Sequence, residues 1–97
     1  MEIKVIYHVW VMRGKDGYFH AEKETEMPIA PFPGLGVWHV FKDDAISLAT
    51  IKKVEYDERT QIIRVYFNDD SLCYDIATFK ASDWKVFAMR DGVEKEV

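Results

Sequence analysis

The side chains of this chain whose ordinary pKa lies nearest neutrality are His8, His20 and His39, so proton or metal chemistry would begin with them. A simple pattern brings two of them together. Between Glu2 and Met12 the odd positions Ile3, Val5, Tyr7, Val9 and Val11 alternate with Lys4, Ile6, His8 and Trp10. A second stretch, Tyr18 to Met27, follows after Arg13 to Gly17. A tight turn centred on Asp16–Gly17 would set Val9 against Glu24 and Val11 against Glu22, which mixes the two faces. A five-residue loop that pairs Met12 with Tyr18 keeps them separate: Val11 faces Phe19, Val9 faces Ala21 and Ile3 faces Met27. On the other side Lys4 meets Glu26, His8 meets Glu22 and Trp10 meets His20. His20 then lies diagonal to His8, at ~7–8 Å between backbones. Two imidazoles and a carboxylate suit zinc or another transition ion. The plainer alternative is a solvated polar face with one cross-strand His–Glu contact, because no ligand-spacing motif accompanies the three residues.

Other chemistry has less behind it. Cys73 is expected beside Tyr66 with no basic neighbour to lower its pKa, and no Gly-x-Ser-x-Gly elbow is present. Glu55, Arg64 and Asp75 read as a charge ladder on a wet sheet face rather than an acid–base pair. Gly34-Leu35-Gly36 lacks the third glycine and the following helix of a phosphate cradle, and Pro31-Phe32-Pro33-Gly34 reads as a rigid turn. No motif asks for an organic cofactor, and the expectation is a protein that is not an enzyme.

Aromatic residues supply a different hint. Trp10 shares its face with Lys4, His8, His20 and Glu22 rather than with the valines, and Phe32 and Trp38 lie in or just after the proline-rich connector Met27–Gly36. Either the connector folds back so that Phe32, Leu35 and Trp38 cover Trp10 and Ile6, or Trp10, Phe32 and Trp38 line an exposed apolar patch that marks a protein contact or a homodimer.

The elements that position these residues follow from composition. Ten Val and eight Ile stand against three Leu, and six Phe, five Tyr and three Trp add to the side chains that pack well on a pleated surface. The fold expected is mainly β: a small antiparallel meander of six to seven strands closing into a barrel or tight sandwich, with at most one short C-terminal helix. Val37 to Lys42 is a short aromatic strand. Along residues 46–57 the apolar phase slips between Leu48 and Ile51 and again between Ile51 and Val54, which marks a bulge or bend. A loop at Glu58–Gln61 sets Tyr56 opposite Ile63 and Val54 opposite Val65. A turn at Asp69–Asp70 would then set Phe67, Val65 and Ile63 opposite Leu72, Tyr74 and Ile76, with Arg64 between Glu55 and Asp75. Ser82 would cap a short helix, but a final strand from Trp84 to Met89, ended by Asp91–Gly92, fits its neighbours better.

Residues 1–90 read as one β domain and 91–97 as a charged, solvated tail. The net charge of −4 disfavours nucleic acid, and Lys52–Lys53, the adjacent basic pair, is followed by Glu55 and Asp57. No apolar run approaches the ~20 residues of a membrane span, and the first residues lack an export signal, so a cytoplasmic protein is expected. The functional reading is a non-catalytic β domain acting through protein contact or self-association. Metal or small-ligand binding on the first hairpin is one alternative, and single-strand nucleic-acid binding is another.

Overall fold

Alternation decides the first two strands. β1 (Ile3–Gly14) and β2 (Gly17–Met27) pair antiparallel, with Ile3 opposite Met27, His8 opposite Glu22, Val9 opposite Ala21, Trp10 opposite His20 and Val11 opposite Phe19. This is the register the sequence implies. The turn differs: Gly14 pairs with Gly17, and an irregularity on β1 between Val11 and Gly14 replaces the five-residue loop that would pair Met12 with Tyr18. The extra residue on β1 reconciles the Gly14–Gly17 pairing with the register of the rest of the hairpin. The computed structural model describes residues 2–14, 17–41, 44–67 and 75–97.

β3 (Gly36–Phe41) pairs antiparallel with the first half of the long strand β4 (Asp44–Asp57), and the second half of β4 pairs with β5 (Ile62–Phe67). Tyr56 lies opposite Ile63 and Val54 opposite Val65, as their alternation implies. The phase slip between Ile51 and Val54 is a bulge: Ile51 pairs with Phe67 and Lys53 with Tyr66, leaving Lys52 as the extra residue. At the bend, Gly34 donates to the Ile51 carbonyl at 2.9 Å and Ile51 donates to the Leu35 carbonyl at 2.9 Å. Gly34 reaches this position with φ +95, which a side chain would oppose.

Chain reversal between β4 and β5 is local. The Asp57 carboxylate accepts from the backbone N–H of Arg59 and Thr60, and Gln61 adopts φ 59 to close the loop.

The next neighbour of β5 corrects the expected meander. β5 pairs in parallel with β1, Ile63 opposite Val5 and Val65 opposite Tyr7. The edge that Ile76 was expected to fill is therefore taken, and Ile76 instead opens α1 (Ile76–Ala81). The expected turn at Asp69–Asp70, together with Leu72, Cys73 and Tyr74, lies outside the described residues. Asp75, expected beside Arg64, caps α1, accepting from Thr78 N–H at 2.9 Å and Thr78 Oγ1 at 2.8 Å.

Ser82 closes this helix rather than opening one. Asp83 takes a left-handed φ of 67, Asp83 N–H donates to the Lys80 carbonyl at 3.2 Å, and Trp84 N–H donates to the Phe79 carbonyl at 3.1 Å. These are the two hydrogen bonds of a Schellman closure, with the Phe79 and Trp84 rings in contact at 5.2 Å.

β6 (Lys85–Arg90) pairs with β2, and β7 (Val93–Glu96) pairs with β6 through a turn whose Asp91 and Gly92 both have positive φ. The charged segment after Arg90 thus includes an edge strand, although its four side chains remain exposed.

The strand order is β3-β4-β5-β1-β2-β6-β7. The protein is mainly β, with one mixed seven-stranded sheet and one short helix. The sheet is open, with β3 and β7 at its ends, so the expected barrel does not close. Its buried face carries Val5, Tyr7, Val9 and Val11 of β1, Phe19 and Ala21 of β2, Val65 and Phe67 of β5, and Val86 and Ala88 of β6. Over that face Phe41 of β3 stacks on Trp84 at 5.6 Å, and Phe79 of α1 meets Phe19 edge-on at 5.6 Å and Phe41 at 5.3 Å. Lys23 of β2 donates to the Ser82 carbonyl at 2.8 Å, placing a cation at the end of α1. Among the described residues, no helix is long and apolar enough to cross a membrane.

Candidate metal centre

β1 points its odd side chains into the core, so His8 and Trp10 face the other way, and the β1–β2 register puts Glu22 and His20 directly across from them. The diagonal contact expected from sequence closes fully: His8 Nδ1 lies 2.9 Å from His20 Nε2. Glu22 Oε2 lies 3.6 Å from His8 Nδ1. One ligand atom from each of His8, His20 and Glu22 falls within 4.8 Å of the others. For bonds of ~2.0–2.1 Å, ligand atoms around a tetrahedral ion stand ~3.3 Å apart. The 2.9 and 3.6 Å separations from His8 Nδ1 bracket this value, and the three ligand atoms all lie within 4.8 Å of one another.

Stacking fixes the two rings. Trp10 lies on His20 with centroids 4.3 Å apart and planes at 15°, and Tyr66 of β5 lies on His8 at 4.8 Å and 13°. Phe87 of β6 lies beside His20 at 5.7 Å. Lys53 holds its ammonium 4.7 Å from the Tyr66 ring centroid. With their faces covered, the imidazoles present edges to each other and to Glu22. The side chains of His8 and His20 are 5% and 12% exposed, whereas that of Glu22 is 24% exposed and leaves the approach from solvent.

Hydrogen-bond accounting assigns every proton on the rings. Arg64 Nη1 lies 2.9 Å from His8 Nε2, and a guanidinium only donates. His8 Nε2 is therefore an acceptor, so the ring proton sits on Nδ1 and is donated to His20 Nε2. His20 carries its own proton on Nδ1, which faces Glu94 Oε1 of β7 at 3.5 Å. The chain runs Arg64, His8, His20, Glu94. Burial, followed by the charges of His20 and Arg64, lowers the His8 pKa from 6.5 to about 4, with Glu55 acting weakly against this. His8 is thus neutral near pH 7, and its approach to Glu22 is not an ion pair.

The other histidine and the aromatic candidates lie elsewhere. His39 packs on the core face, edge-on to Tyr7 at 5.7 Å and to Trp84 at 5.5 Å, and burial, then the charge of Lys23, lowers its pKa. Trp38 is 72% exposed and Phe32 is 51% exposed. Since Val37 and Phe41 of the same strand point into the core, Trp38 points away from it. Trp10 is partly buried against His20, whereas Phe32 and Trp38 are exposed. Leu35 of the connector packs against the core rather than over Trp10.

Sequence reasoning found His8, His20 and Glu22 but not Arg64, which hydrogen-bonds His8, or Glu94, whose carboxylate lies 3.5 Å from His20. Both arrive from strands whose neighbours alternation does not name. The Glu55–Arg64 pairing was visible and is present, and the opposite flank of Arg64 is filled by Ile6 of β1. Comparison with known proteins finds no matching family model, no matching curated protein and no matching solved structure.

Proposed function

We propose that this chain is a metal-binding β domain in which His8 Nδ1, His20 Nε2 and a Glu22 carboxylate oxygen take a divalent ion of the zinc class. The observation that carries this reading is the convergence of those three ligand atoms within 4.8 Å on rings held by stacked aromatics. Imidazole and carboxylate donors suit zinc, nickel, copper and iron rather than magnesium or calcium. Glu94, on the far nitrogen of His20, is the outer carboxylate that metal-bound histidines commonly have.

Purified protein is expected to take up one equivalent of zinc or nickel in a calorimetric titration. His20→Ala or Glu22→Ala is expected to weaken uptake by at least ~100-fold, the upper end of what outer partners alone are worth. Elemental analysis without metal, together with flat titrations for the wild-type chain, would reject the reading.

A second reading, self-association, is favoured by Trp38, the most exposed of the large apolar side chains described. It sits on β3, which ends the strand order, so a second copy placed against that strand would both extend the sheet and cover the indole. This use of the edge goes with reading the architecture as a tight sandwich, supported by the stack of Phe41 on Trp84. Light scattering would then give a dimer that Trp38→Ala converts to monomer. A wild-type monomer at ~100 μM, weaker than typical specific contacts, would end this reading.

A further inference from the structure

We infer that Arg64 opposes metal binding at the His8–His20–Glu22 site and sets its affinity, because an entering ion must expel the guanidinium from His8. This rests on the metal-binding reading and adds to it a residue that acts against the ion. The position of the His8 ring proton decides the sign of the effect. Arg64 Nη1 stands 2.9 Å from His8 Nε2, so that nitrogen offers a lone pair and the ring's single proton is on Nδ1. A metal needs the Nδ1 lone pair, the one turned toward His20 and Glu22. The proton must then move from Nδ1 to Nε2, exchanging through solvent, with no net gain or loss. Once Nε2 carries a proton, two donors face each other across that distance, and the arrangement cannot hold.

Charge acts in the same direction. The guanidinium lies on the far side of one imidazole from the ion, in a site largely screened from water by Trp10 and Tyr66. Expulsion has a destination, since Glu55 lies directly opposite Arg64 on β4 with its carboxylate 3.7 Å from Lys53. Most outer partners of a metal-bound histidine accept its second proton and strengthen binding, as Glu94 is placed to do for His20. Arg64 occupies the corresponding position on His8 with the opposite hydrogen-bond polarity.

The test compares zinc chloride titrations of the full wild-type chain and Arg64→Met, each first checked for native near-ultraviolet circular dichroism. Arg64→Met is expected to bind zinc at least ~10-fold more tightly, the size of effect outer partners have but with reversed sign. Adding His20→Ala to Arg64→Met is expected to abolish that binding. Equal or weaker binding by a folded Arg64→Met, with a wild-type chain that binds through the same ligands, overturns the role of Arg64 and leaves the metal site standing. Absence of binding by both proteins overturns the metal-binding reading itself.

A second readout needs no variant. Long-range nitrogen–proton spectra of the wild-type chain are expected to show the His8 proton on Nδ1 before zinc and on Nε2 after it. A His8 Nε2 that stays unprotonated in the zinc complex would contradict the inference.

Discussion

Phe79→Ala is expected to destabilise the chain by ~3–5 kcal/mol, the usual cost of emptying a buried phenylalanine site. Phe79 is fully buried and is the buried residue of the six-residue helix α1. A helix of that length has almost no stability of its own, so tertiary contact has to hold it. Phe79 supplies that contact through Phe19, Phe41 and Trp84, with ring centroids 5.6, 5.3 and 5.2 Å away. Truncation would remove the anchor of α1 and also the partner of the Trp84 ring in the helix closure. Against a typical total of ~5–15 kcal/mol, the loss is a large share of all the stability a domain has. The thermal midpoint should fall by more than ~12 °C, while Phe32→Ala, at an exposed position, should change it little. A Phe79→Ala protein that melts with the wild type would show that α1 does not pack as described.

Acidification should produce the second large effect. His8 has a folded pKa of about 4 against 6.5 unfolded, so the unfolded chain binds the proton more readily. Stability from this group is complete above pH 6.5, declines as the pH falls from 6.5 to about 4, and is gone below that. The shift corresponds to roughly 3 kcal/mol. His39, whose pKa is also lowered, adds a loss of the same sign. Urea denaturation in chelator-treated buffer at a series of pH values would measure the slope. His8→Gln offers an amide to Arg64 without titrating, so the slope between pH 6.5 and 4 should flatten in that variant. A wild-type chain equally stable at both ends of this window would contradict the burial of His8.

How much of this was legible in the chain depends on what alternation records. Alternation reports which face a residue occupies, and it fixed the β1–β2 register because Val9, Val11, Phe19 and Ala21 must share one side. The β4–β5 pairing was legible for the same reason, and the three-residue step from Ile51 to Val54 announced the bulge. Alternation does not report which strand lies alongside. Ile63 and Val65 need apolar neighbours, and a local return strand through Leu72 to Ile76 satisfies that as well as distant β1 does. The choice of β1 is made by the whole sheet, which is why Arg64 and Tyr66 were not foreseen beside His8. The α1 cap was written in the chain as Asp75 three residues before Thr78, but the charge ladder drawn for Asp75 concealed it.

The parallel pairing of β1 with β5 also orders events in time. The β1–β2 hairpin closes over a few residues and can form as soon as Met27 has been made. The pairing of Val5 with Ile63 and of Tyr7 with Val65 spans most of the chain, and closing so long a loop is slow. During synthesis the valine-rich margin of β1 therefore waits unpaired until residue 67 has emerged. In that interval it is the segment most open to joining the same segment of a neighbouring nascent chain.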